Sequence, residues 1–179
     1  ARAWWTFRMF GHAVVSVLDG GFDKWNGEGR PVEPGTPPTA PTVYRARLDP
    51  RRVASLEEIR EIVAHGGAQI VDARSEGRFN GTEPEPRAGV RRGHIPGSCN
   101  LPFDRLVAGD GTLLTAKQLQ HCFAAAGIDP TAPVVCSCGS GVTAALLAFA
   151  LEQIGAGETA VYDGSWAEWG SRNDTQVGR

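Results

Sequence analysis

The sequence predicts an α/β fold in which a parallel β-sheet is covered by helices on both faces. Three observations lead there. Short apolar runs at residues 68–72, 133–136 and 160–162 have strand length, capping-box patterns open helices between them, and glycines stop those helices. Strands separated by helices imply parallel pairing and burial on both faces. The chain has 179 residues, 41% hydrophobic and 21% charged. That suits one full α/β domain, or one domain plus part of another. Glycine (23) and proline (12) make up about a fifth of the residues, more than the usual ~12% but below the ~25–30% of low-complexity chains. The chain therefore reads as globular and rich in loops.

Taken in order, residues 1–10 are a helical apolar stretch stopped by Gly11, and residues 14–18 a short strand before an Asp19-Gly20 turn bearing Phe22 and Trp25. The same order returns 144 residues later: a helix over 142–154, Gly155, a strand over 160–162, then Asp163-Gly164 with Trp166 and Trp169. The echo is read as a duplication. Its first copy then lacks everything before its last helix, and the segment is expected to come from a longer chain. Residues 29–41 hold five prolines without periodicity, which makes a stiff, extended linker. Beyond it, Ser55-Leu-Glu-Glu58 opens a helix to about Ala64, and Gly66-Gly67 ends it. Residues 68–72 are a strand, 74–97 a long polar loop, and 98–102 a further short strand. Thr115-Ala-Lys-Gln118 opens a helix to about Ala126. Residues 133–136 are a buried strand, and the helix over 142–154 is apolar nearly all round.

Composition excludes several functions. A net charge of −2 and a pI near 6.1 argue against nucleic-acid binding, which normally shows a strong basic excess. The longest apolar run, Ala144 to Leu151, has eight residues, far short of the ~20 that span a bilayer. No membrane partner is expected. Four cysteines at 99, 122, 136 and 138 are too sparse for a disulfide framework, and none stands at metal-ligand spacing, so no metal or other cofactor is expected. The expected compartment is cytoplasmic, with mitochondrial as the alternative.

The chemistry concentrates in Cys136-Ser-Cys138-Gly-Ser-Gly-Val-Thr143, where a buried strand meets a buried helix across a glycine-containing turn. Ligands of open α/β sheets bind at the carboxyl ends of strands. Cys138 is placed at the mouth of the turn, with Gly139 and Gly141 letting backbone N–H groups point inward. Those donors and the positive end of the helix favour an anion, hence a thiolate nucleophile. Cys136, within the apolar strand, reads as a small core residue. Arg78 and Arg87, with Glu83 and Glu85 between them, are the candidate source of positive charge, since a guanidinium fork grips a carboxylate bidentately.

These residues carry a resemblance. Asp72-Ala-Arg74, Gly93-His-Ile-Pro-Gly97 with Asn100-Leu-Pro102, the Cys138 loop and Asp163-Gly-Ser-Trp166 are similar to the landmarks of the rhodanese superfamily. The loop from Cys138 to Thr143 and the segment from Gly77 to Arg87 resemble its 3-mercaptopyruvate sulfurtransferase branch. The resemblance implies a three-layer fold with a five-stranded parallel sheet flanked by helices. It divides the chain into a remnant of a first rhodanese-like domain (1–29), the linker (30–41), a complete catalytic domain (42–171) and a tail (172–179). It also implies sulfur transfer from 3-mercaptopyruvate through a Cys138 persulfide, with release of pyruvate. The acceptor would be a thiol, as in thioredoxin, or cyanide. Arg78 and Arg87 would bind substrate, Ser140 would relay a proton, and Gly139, Gly141, Val142 and Thr143 would shape the loop. A further implied partner is the missing first-domain portion.

Thiosulfate-specific members carry basic residues directly after the cysteine, whereas Gly139 and Ser140 are neutral. A thiosulfate:cyanide sulfurtransferase and a non-catalytic binding module remain the alternatives. A phosphatase of this fold needs an arginine where Ala144 stands, and without it the phosphoryl transition state has no clamp. His94, in a turn, is read as structural, Arg91 and Arg92 as a solvated pair, and Trp166 and Trp169 as core aromatics.

Overall fold

The computed structural model covers residues 1–179. Helix α1 (Arg2–Met9) and α2 (Gly21–Gly27) precede an exposed, element-free stretch over residues 30–48. Then follow β1 (Val53–Ala54), α3 (Leu56–His65), β2 (Gln69–Asp72), α4 (Glu76–Phe79) and β3 (Cys99–Asn100). The chain ends through α5 (Ala116–Ala125), β4 (Val134–Ser137), α6 (Ala144–Gln153), β5 (Thr159–Tyr162) and α7 (Ser165–Trp169). Both capping boxes form: Ser55 and Glu58 exchange side chain and backbone at the start of α3, and Thr115 and Gln118 at the start of α5. Each satisfies two otherwise orphaned N–H groups.

The five strands pair in parallel in the order β1-β5-β4-β2-β3. From β2 the chain steps outward to β3, whereas from β4 it steps the other way to β5. The carboxyl ends of β2 and β4 therefore frame the crevice in which open α/β sheets bind ligands. Alternation along β4 feeds two cores. Val134 and Cys136 face Trp4, Trp5, Phe123 and Leu147 on one side, and Val135 faces Ile59, Tyr162, Trp166 and Trp169 on the other. Helix α6 can be apolar nearly all round because six of its ten residues are buried, four of them alanines that admit close approach.

Several elements differ from expectation. Residues 14–18 form no strand. Their backbone finds no ladder partner, and an unpaired strand is not stable in water. The aromatic turns after Asp19-Gly20 and Asp163-Gly164 are wound into the short helices α2 and α7. The polar loop contains α4, capped where Ser75 Oγ accepts the Arg78 N–H. Strand β1 is only two residues long, too short to show a periodicity, and it supplies the fifth strand of the sheet.

Residues 1–29 do not stand apart from the larger core. Trp4 packs edge-on against Phe149 of α6 with ring centres 4.9 Å apart, and Trp5 donates its indole N–H to Arg52 O at 2.8 Å. Arg8 and Arg52 both reach Glu152 at the end of α6. Further on, Asp19 accepts the Leu113 N–H and Lys24 pairs with Asp110. Two of the three α1 aromatics are thus buried on the second unit, while Phe7 stays half exposed.

Candidate active site

Strand β4 ends at Ser137, and the backbone then turns through residues 138–143 into α6. Cys138 lies at the floor of a cavity of about 250 Å³, walled by Arg78, Glu85, Arg87, Ser140 and Thr143. The sequence places this thiol at the mouth of the turn; in the structure only 1% of Cys138 is exposed. Its backbone N–H and carbonyl are both taken up by the β5–α7 junction, which holds the residue inward. Ser140 directs its N–H at Cys138 Sγ from 3.4 Å, a donor suited to a thiolate.

The loop is stapled from behind by the β5–α7 junction. Ser165 accepts the N–H groups of Cys138 (3.2 Å) and Gly141 (3.0 Å) on one oxygen and donates its own proton to Tyr162 O at 2.7 Å. The first two N–H groups beyond it, Trp166 and Ala167, donate to the Cys138 and Gly139 carbonyls, both at 2.9 Å. Ser165 is fully buried and sits at φ 50°, a left-handed conformation that non-glycine residues adopt at a cost. The sequence reading missed its role, although the Asp163-Gly-Ser-Trp166 landmark contains it. Nothing in a local pattern says that a serine 27 residues downstream will hold the cysteine loop.

The two arginines are not equivalent. A buried chain of charges runs from Asp72 through Arg74 to Glu85 and on to Arg78: Arg74 Nη2 meets Asp72 at 2.7 Å, Arg74 Nη1 meets Glu85 at 2.9 Å, and Arg78 Nη2 meets Glu85 at 2.6 Å. Two carboxylates answer two guanidiniums there, so the chain carries no net charge. Arg78 is fixed by it and lies so close over the loop that a Cβ at Gly139 would sit 2.8 Å from its Nη2. Arg87 is exposed and makes no ion pair. The net positive charge on the cavity wall therefore comes from Arg87. Glu83 turns away to accept the Ser75 hydroxyl.

The remaining candidates separate cleanly. Cys136 is fully buried, and burial, with a smaller contribution from Cys138 beside it, pushes its thiol far above the ordinary range. It is a core residue. His94 stacks on Phe79 at 3.9 Å with Nδ1 2.9 Å from Phe79 O, outside the cavity. Trp166 and Trp169 are core aromatics at 0% and 1% exposure. Arg91 is not part of a solvated pair. It clamps the chain end by donating to Trp169 O, Gly170 O and Thr175 O, because residues 170–178 fold back along it and present their carbonyls.

The rhodanese-like domain family matches residues 55–172. The chain belongs to that family. Among its relatives is the human 3-mercaptopyruvate sulfurtransferase, 43% identical over 168 residues, which span 94% of this chain and 57% of the human one. The mitochondrial thiosulfate/3-mercaptopyruvate sulfurtransferase 1 of Arabidopsis thaliana is 37% identical, covering 99% of this chain and 52% of the plant protein. The crystal structure of SseA from Escherichia coli, a 3-mercaptopyruvate sulfotransferase of rhodanese fold, superposes with a TM-score of 0.80 at 37% identity. It covers 92% of this rhodanese-like chain and 61% of SseA. The chain thus spans between half and two thirds of the length of these relatives.

Proposed function

We propose that this rhodanese-like chain transfers sulfur from 3-mercaptopyruvate to a thiol acceptor. One observation carries the reading: a buried Cys138 faces a cavity whose loop is neutral at Gly139 and Ser140 and whose wall carries Arg78 and Arg87. A carboxylate-bearing 2-oxo acid would place its carboxylate on the arginine wall and its sulfur over Cys138. Arg78 is preset by Glu85, and Arg87 supplies the unbalanced charge. The names of the human and Escherichia coli relatives support the same donor.

In the first half-reaction the Cys138 thiolate attacks the donor sulfur. An S–S bond forms, the C–S bond breaks, and its electron pair passes to the adjacent carbon, leaving pyruvate as its enolate. That carbon then takes a proton, which the exposed Ser140 hydroxyl can pass from the donor thiol. The loop N–H groups hold negative charge on sulfur during the step. In the second half-reaction an acceptor thiolate, such as that of a thioredoxin, attacks the outer sulfur and leaves as a persulfide, and Cys138 is restored. Cyanide would leave as thiocyanate. The site is proposed to be completed by a first domain, of which residues 1–29 are the end.

Thiosulfate is the second reading, supported by the plant relative whose name carries both donors. The test is intact-mass spectrometry of the chain after incubation with each donor. A gain of one sulfur on Cys138 with 3-mercaptopyruvate, and slower gain with thiosulfate, is expected. Equal or faster loading by thiosulfate would reverse the donor assignment, and no adduct with either would leave a binding module as the better reading.

A further inference from the structure

Outside the cavity, one charged side chain reaches the catalytic loop from the far end of the sequence. Arg2, at the first position of α1, donates from Nη1 to the Gly141 carbonyl at 3.1 Å. The same guanidinium pairs with both carboxylate oxygens of Asp163, in the turn that leads to Ser165. Gly141 is consequently gripped at both of its polar backbone groups, its N–H by Ser165 and its C=O by Arg2. The fit is close: Gly141 has φ +76°, and a Cβ there would lie 2.7 Å from Arg2 Nη1. The guanidinium also lies 4.6 Å from the ring centre of Trp5, a side chain only 2% exposed, so its platform is part of the core.

From this geometry we infer that Arg2 is a positioning residue for the sulfur-transfer loop, acting through the Gly141 peptide. A peptide unit is planar, so fixing the direction of Gly141 C=O fixes the opposed direction of the Val142 N–H at the cavity rim. The Ser140 N–H that faces Cys138 Sγ lies in the same loop, two peptide units upstream. Simple anchoring of α1 does not require Arg2. Trp4, Trp5 and the Arg8–Glu152 pair already hold the helix, and a half-exposed ion pair adds little to stability. What Arg2 adds is a direction for one carbonyl. Helix α1 would then act on the reaction geometry itself and not only on the packing of the domain.

The inference rests on Cys138 as the reacting thiol, and the experiment separates the two. Cys138 alkylation by iodoacetamide, which needs no recognition of a sulfur donor, is followed by mass in the full chain, together with single-turnover persulfide formation from 3-mercaptopyruvate. Arg2→Met is expected to slow alkylation about tenfold, the loss of one charge-assisted hydrogen bond to the loop. It should lower the maximal rate of persulfide formation while leaving the half-saturating donor concentration within about twofold. Arg2→Lys, which keeps the charge but not the fork, should fall between, and added guanidinium should restore part of the Arg2→Met rate. Arg8→Met, which cuts the other α1 ion pair, should leave Cys138 alkylation unchanged. Unchanged alkylation in Arg2→Met and Arg2→Lys, or an equal loss in Arg8→Met, would overturn the inference. If alkylation responds as expected while no variant, nor the parent chain, gains sulfur from 3-mercaptopyruvate, the donor reading fails and the positioning role stands.

Discussion

Ser165 concentrates two opposed effects in one residue. Its hydroxyl satisfies two loop N–H groups, while its φ of 50° is unfavourable for any side chain. Replacing it should therefore separate the two. Ser165→Ala loses the hydroxyl and keeps the strain; Ser165→Gly loses the hydroxyl and relieves the strain. Both should destabilise, by about 1–3 kcal/mol for the orphaned donors, and the alanine variant should be worse by about 1 kcal/mol. Urea denaturation midpoints measure this, and identical midpoints would show that the backbone there is unstrained. The arginines make a second case at this scale. Arg87→Ala should reduce kcat/KM for 3-mercaptopyruvate by roughly 10- to 100-fold, because Arg87 is the cation no carboxylate neutralises. Alkylation by neutral iodoacetamide should barely change. A parallel fall in alkylation would mean that Arg87 supports the loop and does not hold the carboxylate.

Among the elements, α1 is the one whose role the chain order conceals. It has eight residues, too few to persist alone in water, and it forms because Trp4 and Trp5 are buried beside α6 and the turn at Arg52. Trp4→Ala should cost about 3–5 kcal/mol, seen as a lower urea midpoint for the whole chain. If α1 were an accessory flap, near-ultraviolet circular dichroism would show it detaching while the main transition stayed in place. The loop between β4 and α6 shows the converse arrangement. Its sequence is local, but its shape is imposed by α7 and the β5–α7 turn, through two N–H to carbonyl bonds and one serine that accepts two further N–H groups.

For the molecule as a whole, the exposed stretch over residues 30–48 separates two parts that share one core. Limited trypsin digestion should cut after Arg45 or Arg47, both exposed in a segment without regular structure. The two fragments should still elute together in native buffer, held by the α1 tryptophans and Glu152; separation without denaturant would contradict the shared core. Much of this was legible in the residues. Both capping boxes, the strands at 68–72, 133–136 and 160–162, the apolar helix after Cys138 and the core placement of Cys136 all follow from patterns within a few positions, because capping, periodicity and turn chemistry are local forces. The Val14–Leu18 strand failed for the complementary reason: its pattern was suitable, but a strand needs a partner that pattern cannot supply. Ser165, the Asp72–Arg74–Glu85–Arg78 chain, the unequal standing of Arg78 and Arg87, and the reach of Arg2 to Gly141 were decided only by tertiary structure. Each depends on groups far apart in sequence meeting within hydrogen-bond distance, and that proximity is set by how the sheet orders its strands and which helix faces the core accepts.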